Sequence, residues 1–326
     1  MATNLKTKFA SLELENPVII SSSGLTNSAA KIKKLEEAGA GAVVLKSVFE
    51  EQISMQAKSM MDNNSSEADN YLGAYIRSHT LSEHIKLIEE TKKTCSIPVI
   101  ASINCYSNSE WTDFAKLMAE AGADAIELNI LSLQTDKDYT FGSFEQAHID
   151  ILRNVKSQVN VPIIMKLGTN LTNPIALINQ LYANGAAAVV LFNRFYQPDI
   201  NIDSLSFTST NVFSNADELA DKIRWTAIAS ATLPKIDYAI SGGVDCGKGL
   251  IKSILAGASA VEVCSAIYKQ GNGVIAEMKN ELEEWMKQKG FQTIGELKGK
   301  MNAEVAGDIN PFERTQFMKY YSNRED

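Results

Sequence analysis

The chain has 326 residues, 45% of them hydrophobic and 21% charged, with 19 Gly, 7 Pro and a net charge of −8. Ample Val, Ile and Leu with little Pro and Gly exclude collagen-like and disordered classes. An acidic balance without a Lys/Arg cluster argues against nucleic acid and against anionic lipid as partners.

Pro17 opens the apolar run Val18-Ile19-Ile20, a helix is expected over 27–38, and Gly39 leads a second run to Leu45. The same unit returns with Pro98-Val99-Ile100, a helix over 109–121 and the run from Gly122 to Leu128. It returns again with Pro162-Ile163-Ile164-Met165, a helix over 173–184 and the run from Gly185 to Leu191. The fourth copy has Pro234 before Ile236 to Ile240, a helix over 245–256 and the run from Gly257 to Val263. Pro is tolerated at the first residue of a strand, β-branched runs favour strand, and Gly ends a helix. The offsets from Pro to Gly are 22, 24, 23 and 23 (17 to 39, 98 to 122, 162 to 185, 234 to 257). Further helices fit after each even strand, over 79–93, 143–158, 215–231 and 272–289.

Eight short apolar strands alternating with eight helices predict one closed (β/α)₈ TIM barrel of class α/β. Its extent is read as 1–300, with a tail over 301–326 whose Phe312, Phe317, Tyr320 and Tyr321 would pack on the barrel or on a partner. Two long loops, 49–77 after strand 2 and 193–214 after strand 6, read as binding loops, lids or interfaces.

No apolar run of about 18 residues is present, so no membrane helix is expected. The opening MATNLKTKFASLELENP has no apolar signal-peptide core. Cys95, Cys105, Cys246 and Cys264 are scattered and read as reduced thiols of a cytoplasmic protein. His79, His84 and His148 have no ligand spacing, so no metal is expected.

Chemistry on this fold sits where the strands end. Those ends carry Ser21-Ser22-Ser23-Gly24, Lys46-Ser47, Ser102-Ile103-Asn104, Glu127-Leu128-Asn129, Lys166, Asn193-Arg194, Ser241-Gly242-Gly243 and Cys264-Ser265. Gly242-Gly243 with the Cys264-Ser265 amides suits a phosphate, which barrels of this kind grip after strands 7 and 8. Lys46 and Lys166 are placed to form a Schiff base, to stabilise an anionic oxygen or to sit beside a flavin. Asn104, Asn129 and Asn193 would offer carboxamides to a planar heterocycle or a carboxylate.

Asn16-Pro17, Ser22-Ser23-Gly24, Lys46-Ser47, Glu127-Leu128-Asn129, Lys166-Leu167, Ser241-Gly242-Gly243-Val244 and Cys264-Ser265-Ala266 together resemble the dihydroorotate dehydrogenase family, over roughly residues 5–300 and in its soluble class 1 form. The resemblance implies FMN across the barrel mouth, its phosphate on Gly242, Gly243, Cys264 and Ser265. Ser22, Ser23, Ser47, Asn104 and Lys166 would also face FMN, Lys46 would lie near both flavin and substrate as a catalytic residue, and Asn129 would bridge the two. The implied substrate is dihydroorotate, oxidised to orotate in pyrimidine biosynthesis by hydride transfer to FMN. The implied assembly is a homodimer.

The departures from the family pattern fall in the substrate half. In the strand 2 loop only Asn70 and Gly73 of an Asn-x-x-Gly-Leu-x-Asn motif remain, in Asn70-Tyr71-Leu72-Gly73-Ala74-Tyr75-Ile76. Ser132 stands at the base position, and a Ser hydroxyl needs a relay for its proton. Leu133-Gln134 replaces Pro-Asn, and Arg194 follows Asn193 where a small residue is usual. Gln134, Asn193 and Arg194 are therefore substrate-side candidates, and Arg194 would suit a second carboxylate on a different planar acid. A Schiff-base aldolase using Lys166 or Lys46 is the rival from another mechanism.

Overall fold

The computed structural model describes residues 3–49, 66–104, 111–305 and 312, with the backbone alone over 66–78 and at 111. An N-terminal hairpin pairs β1 (Thr7–Phe9) with β2 (Leu12–Leu14). The repeating unit then begins with β3 (Val18–Ile20), α1 (Ala29–Glu37), β4 (Ala42–Val44), its short continuation β5 (Val48–Phe49) and α2 (Ser66–Thr94). The second unit is β6 (Val99–Asn104), α3 (Trp111–Glu120), β7 (Ala125–Asn129) and α4 (Ser143–Lys156). The third has β8 (Ile163–Leu167), α5 (Pro174–Ala183) and β9 (Ala188–Leu191), then a hairpin of β10 (Pro198–Asn201) and β11 (Ser206–Ser209), then α6 (Leu219–Thr232). The last comprises β12 (Asp237–Ser241), α7 (Gly247–Ala256), β13 (Ala260–Val263), α8 (Ser265–Gln270), α9 (Gly273–Lys289) and α10 (Ile294–Leu297).

Eight parallel strands close on themselves in the order β3, β4, β6, β7, β8, β9, β12, β13, and β13 pairs back onto β3 through Val261 with Val18 and Val263 with Ile20. This is the TIM barrel expected from the fourfold recurrence. Gly39, Gly122, Gly185 and Gly257, which end the first helix of each unit, all have positive φ, between 94° and 117°. Only Gly adopts that turn without strain, so the recurring Gly is the helix stop itself. Asn16 ties the first unit together, accepting from Val18 N at 3.1 Å and donating to Gly39 O at 2.9 Å.

Three features differ from the sequence expectation. The 66–77 stretch, read as loop, is the first part of α2. Helix formers Glu67, Ala68, Leu72 and Ala74 outweigh the cost of about 1 kcal/mol carried by a helical Gly such as Gly73. The loop after strand 6 contains the β10–β11 hairpin, in which Ile200 faces Phe207. The N-terminal hairpin was not anticipated. As for the tail, Met301 N donates to Leu255 O and Ala303 N to Ala227 O, so its first residues lie against α7 and α6. Phe312 is half-buried, and Phe317, Tyr320 and Tyr321 lie outside the described residues.

The interior of the barrel is layered because inward residues recur every second position along a strand. Its lowest layer is apolar: Ile19, Val44, Ile100, Ala125, Ile164 and Val190, sealed from below by Phe9 and Leu14 of the hairpin. Two residues further along the strands the interior turns polar, with Ser21, Ser102, Glu127, Lys166, Ser241 and Glu262, all buried. The hairpin is thus a plug, and all polar chemistry is displaced to the opposite end. Replacing the fully buried Phe9 by Ala should cost about 3–5 kcal/mol, read as a lower denaturation midpoint with an unchanged slope.

The carboxylate of Glu36 fixes α1 to the loop before β6. Glu36 accepts from Ser96 N at 2.6 Å and Ser96 Oγ at 2.7 Å, and Lys33 Nζ lies 2.6 Å from its other oxygen. Burial opposes the charge, but Ser96 and Lys33 outweigh it and hold the carboxyl at about 2 against the usual 4.5. A depressed carboxylate stabilises the fold above its unfolded pKa and loses that contribution as pH falls through the folded one. The stability gap between wild type and Glu36→Gln should therefore be constant above about pH 4.5 and close towards about pH 2 in acid titrations of unfolding.

Candidate active site

A cavity of about 510 Å³ opens at the C-terminal ends of the strands. Its floor is the polar layer described above. Lys166 Nζ lies 2.5 Å from Glu262 Oε2, 3.1 Å from Ser21 Oγ and 3.8 Å from Glu127 Oε1. All three charged side chains are at most 5% exposed. Burial disfavours charge on each of them. For Lys166 the two carboxyl groups, Glu262 the nearer, outweigh burial and hold the ammonium protonated, above its ordinary range. For Glu262 the adjacent ammonium, a hydrogen bond from the Glu127 carboxyl and the hydroxyl of Ser21 outweigh burial and keep the carboxylate ionised. Glu127 goes the other way: burial, then repulsion by Glu262, push its carboxyl well above the usual range. One cation, one anion and one neutral acid make the floor electrically neutral. A Schiff base requires an unprotonated amine, so this pairing works against the aldolase alternative for Lys166.

The rim carries the carboxamides. Asn193 Nδ2 donates to Asn129 Oδ1 at 2.9 Å, while Asn193 Oδ1 accepts from Arg194 N, so each amide orients the next. Asn104 and Asn129 are both 7% exposed and line the cavity. On the opposite side, Ser22 Oγ and Ser47 Oγ lie 2.9 Å apart, and Ser47 reaches Ser102 Oγ at 2.8 Å.

The expected phosphate niche is built as follows. Gly242 and Gly243 have φ of 90° and 85°. A Cβ on Gly243 would meet Leu219 N at 2.6 Å, so α6 lies directly behind this turn. Ser214, from the loop after strand 6, accepts from Gly243 N through Oγ and donates its own N–H to Ser265 Oγ. Lys222 of α6 stands beside Gly242, its Nζ on Glu218 O at 2.8 Å. Cys264 lines the cavity as a neutral thiol, its pKa pushed up by burial.

Of the residues singled out in the sequence, Ser22, Ser47, Asn104, Asn129, Lys166, Asn193, Arg194, Gly242, Cys264 and Ser265 surround the one cavity. Others stand apart from its wall. Ser23 caps the short turn 24–26 through a bond from Leu25 N, and Gly243 is buried behind Gly242. Lys46 is half-buried, its backbone held by Thr26 O and by the ring of His84. Ser132 and Gln134 bond to each other at 3.2 Å, and Asn170 holds Ser132 O at 2.8 Å. Asn70 is in the backbone of α2, and its side chain lies outside the described residues. Arg194 spends its guanidinium within the protein: Nε on Glu218, and the two terminal nitrogens on Val212 O and Asn211 O. It clips the strand 6 loop, and those bonds must break before it can meet a substrate carboxylate.

Sequence reasoning missed Glu262, Ser214, Lys222 and the aromatic wall of Phe49, Phe192 and Phe195. Glu262 had a visible signal, an acid inside Ala260-Val261-Glu262-Val263 at the inward position. Ser214 had none, since it meets Ser265 across 51 residues. Among the described residues no cluster of His, Cys, Asp or Glu is placed to hold a metal, and no helix is long and apolar enough to cross a membrane.

A TIM barrel with a polar cavity at its strand ends is an enzyme architecture. The family model for dihydroorotate dehydrogenase matches residues 4–286, and the chain belongs to that family of oxidoreductases. It is 32% identical over 307 residues to the dihydroorotate dehydrogenase B (NAD(+)) catalytic subunit of Thermoplasma volcanium, covering 91% of this chain and 98% of the relative. Against the protein of the same description from Methanosarcina mazei the identity is 30%, over 88% of this chain and 92% of the relative. The NAD-dependent dihydropyrimidine dehydrogenase subunit PreA of Escherichia coli is 25% identical, over 94% and 78% respectively.

Gly243→Ala adds a methyl group where Leu219 N already lies at 2.6 Å and where φ is positive. Loss of thermal stability and of any phosphate-bearing ligand's affinity should appear together in a melt taken with and without that ligand.

Proposed function

We propose that this protein is an FMN-dependent oxidoreductase that oxidises dihydroorotate to orotate. The observation that carries the reading is one cavity that combines a neutralised Lys166–Glu262 floor, a rim of oriented carboxamides and a hydroxyl-and-amide niche after strands 7 and 8. That donor set fits a planar heterocycle with hydrogen-bonding edges and an anionic tail, and the volume lies in the range of about 300–1,000 Å³ usual for such ligands. Lys166, Asn104, Asn129, Ser22 and Ser47 would hold the ring of FMN, and Gly242, Gly243, Cys264 and Ser265 its phosphate. FMN, when bound, supplies the two-electron acceptor.

The chain's own part is to hold the substrate and take a proton. In this reading Asn129 and Asn193 orient the substrate ring, and Ser132, which stands outside the cavity wall, would turn into it to receive the proton from the carbon next to the one that loses hydride while passing its own hydroxyl proton to solvent water. Ser132 Oγ accepts from Gln134 Nε2, which leaves its own O–H to pass onward. The phenyl rings of Phe49, Phe192 and Phe195 would exclude water from the reacting face.

A second substrate reading has its own support. Lys166 and Arg194, the two cations among the described residues that line the cavity, are both committed to internal partners. Such a wall favours a ring without a carboxylate, in keeping with the E. coli relative named for dihydropyrimidine. The purified protein should carry a flavin absorption band, and anaerobic dihydroorotate should bleach it. Bleaching by dihydrouracil alone would move the substrate to a neutral dihydropyrimidine, and absence of any flavin after incubation with FMN would refute the cofactor.

We also propose a homodimer, supported by the apolar faces that the β10–β11 hairpin presents to solvent: Ile200 is 61%, Leu205 86% and Phe207 86% exposed. Surfaces of this kind mark contacts. Relatives described as subunits make a second protein chain the alternative occupant. Ile200→Asp with Phe207→Asp should halve the mass by sedimentation equilibrium; an unchanged dimer would place the contact elsewhere.

A further inference from the structure

The cavity floor connects to the cavity wall by an unbroken line of hydroxyls. Glu127 Oε1 lies 3.3 Å from Ser102 Oγ, Ser102 lies 2.8 Å from Ser47 Oγ, and Ser47 lies 2.9 Å from Ser22 Oγ. Ser102 is 1% exposed and Ser47 3%, so the inner steps are shielded from bulk water. Ser22 and Ser47 line the cavity, whereas Glu127 does not. Ser22 Oγ also accepts from Ser47 N at 2.9 Å, which turns its own O–H away from that backbone.

Glu127 is the part of the floor that the proposed chemistry leaves unused. Its second oxygen, Oε2, is buried and receives no hydrogen bond from a donor group among the described residues, and the protonated carboxyl is close enough to Glu262 to donate to it. The groups facing it are Ser102 from β6, Lys166 from β8, Glu262 from β13 and, through Lys166, Ser21 from β3. Lys166 is one cation between two carboxyls, and it sits far closer to Glu262 than to Glu127 (2.5 against 3.8 Å). An isolated second carboxylate in this enclosure has no remaining counter-charge, so the carboxyl further from the ammonium keeps its proton.

We propose that Glu127 is a proton store that exchanges one proton with the cavity through Ser102, Ser47 and Ser22. In the outward step the Glu127 O–H bond breaks and its proton passes to Ser102 Oγ. Ser102 gives its own proton to Ser47, Ser47 to Ser22, and Ser22 to a base in the cavity. Each hydroxyl ends neutral with its O–H turned inward. Glu127 ends as a carboxylate that accepts from Ser102 and faces Lys166, and the floor gains one negative charge as the cavity gains one positive charge. No electron moves. Glu127 touches neither the cavity nor a ligand in it, and acts through the three hydroxyls. The identity of the cavity base rests on the flavin reading; the store and the relay do not.

The test is infrared spectroscopy of the purified protein at pH 7, following the carbonyl band of a protonated carboxylic acid after transfer into D₂O. Glu127→Gln should remove that band. Glu262→Gln should also remove it with Glu127 in place, because the remaining carboxyl then becomes the only counter-charge for Lys166. Ser102→Ala and Ser47→Ala should keep the band and slow its deuterium shift at least tenfold, and Ser102→Thr should restore the rate. Circular dichroism establishes that each variant is folded. A band that survives Glu127→Gln or Glu262→Gln overturns the store, and a rate unchanged in both Ser→Ala variants overturns the relay. These measurements require no bound flavin. Reduction of bound FMN, which should alter the same band, is the arm that depends on the proposed cofactor; its failure alone would count against that cofactor and leave the relay standing.

Discussion

A lysine ammonium enclosed in a barrel has to be compensated within reach of its own hydrogen bonds, and much of the cavity follows from how Lys166 is compensated. Leaving either partner of such a pair alone in the interior costs about 3–5 kcal/mol. Glu262 supplies the compensation from the last strand, so Lys166 waits for a strand formed 96 residues later. The pairing can form only when the barrel is closed, because β8 and β13 are not neighbours in the sheet. Closure and charge neutrality are therefore one condition. The apolar layer beneath, sealed by Phe9 and Leu14, makes this condition strict by removing water from one side.

The same pairing tells what Lys166 is suited to do. A free amine would attack a carbonyl; an ammonium held by two carboxyls will not. Its charge is largely cancelled towards the cavity, so the floor binds polar edges by hydrogen bonding more than by net attraction. A rim of carboxamides continues that character. Arg194 adds little to it, because its guanidinium holds the strand 6 loop through Glu218, Val212 and Asn211. That clip places Ser214 against both Gly243 and Ser265. Arg194, a candidate for a substrate carboxylate in the sequence, has its guanidinium bonded within the strand 6 loop and to Glu218 in this structure.

The barrel was legible because its signals are local. Pro at the strand start, Gly at the helix stop and β-branched runs between them act within a few residues, and they recur at nearly constant spacing. Strand ends follow from strand positions, which is why ten of the singled-out residues meet around one cavity. The parts that were not legible depend on distance in sequence. Nothing near Arg194 announces Glu218 as its partner, and nothing near Ser214 announces Gly243. The N-terminal plug was missed because its strands are three residues each and their partner is the barrel floor, not a periodic pattern. Residues 66–77 were read as loop because they fall between strand 2 and the helix expected over 79–93, while the helix propensity of their side chains decided the backbone.

Glu127 shows how a residue can be visible in the sequence and still be misjudged. It lies inside a recognisable Glu-Leu-Asn run, where the resemblance directs attention to Asn129. Parity alone places Glu127 two residues deeper than Asn129 on the same inward face. Unlike Lys166 and Glu262 of the same layer it does not line the cavity, and its influence passes through Ser102, whose own register partner across the sheet is Glu127. Ser47 lies between β4 and β5, and Ser22 just beyond the end of β3. The polar line therefore runs sideways around the barrel, across neighbouring strands, and not along any one of them. Side-to-side adjacency of this kind exists only because consecutive units pair in order, so the fold that makes the cavity also makes the path to the acid beneath it.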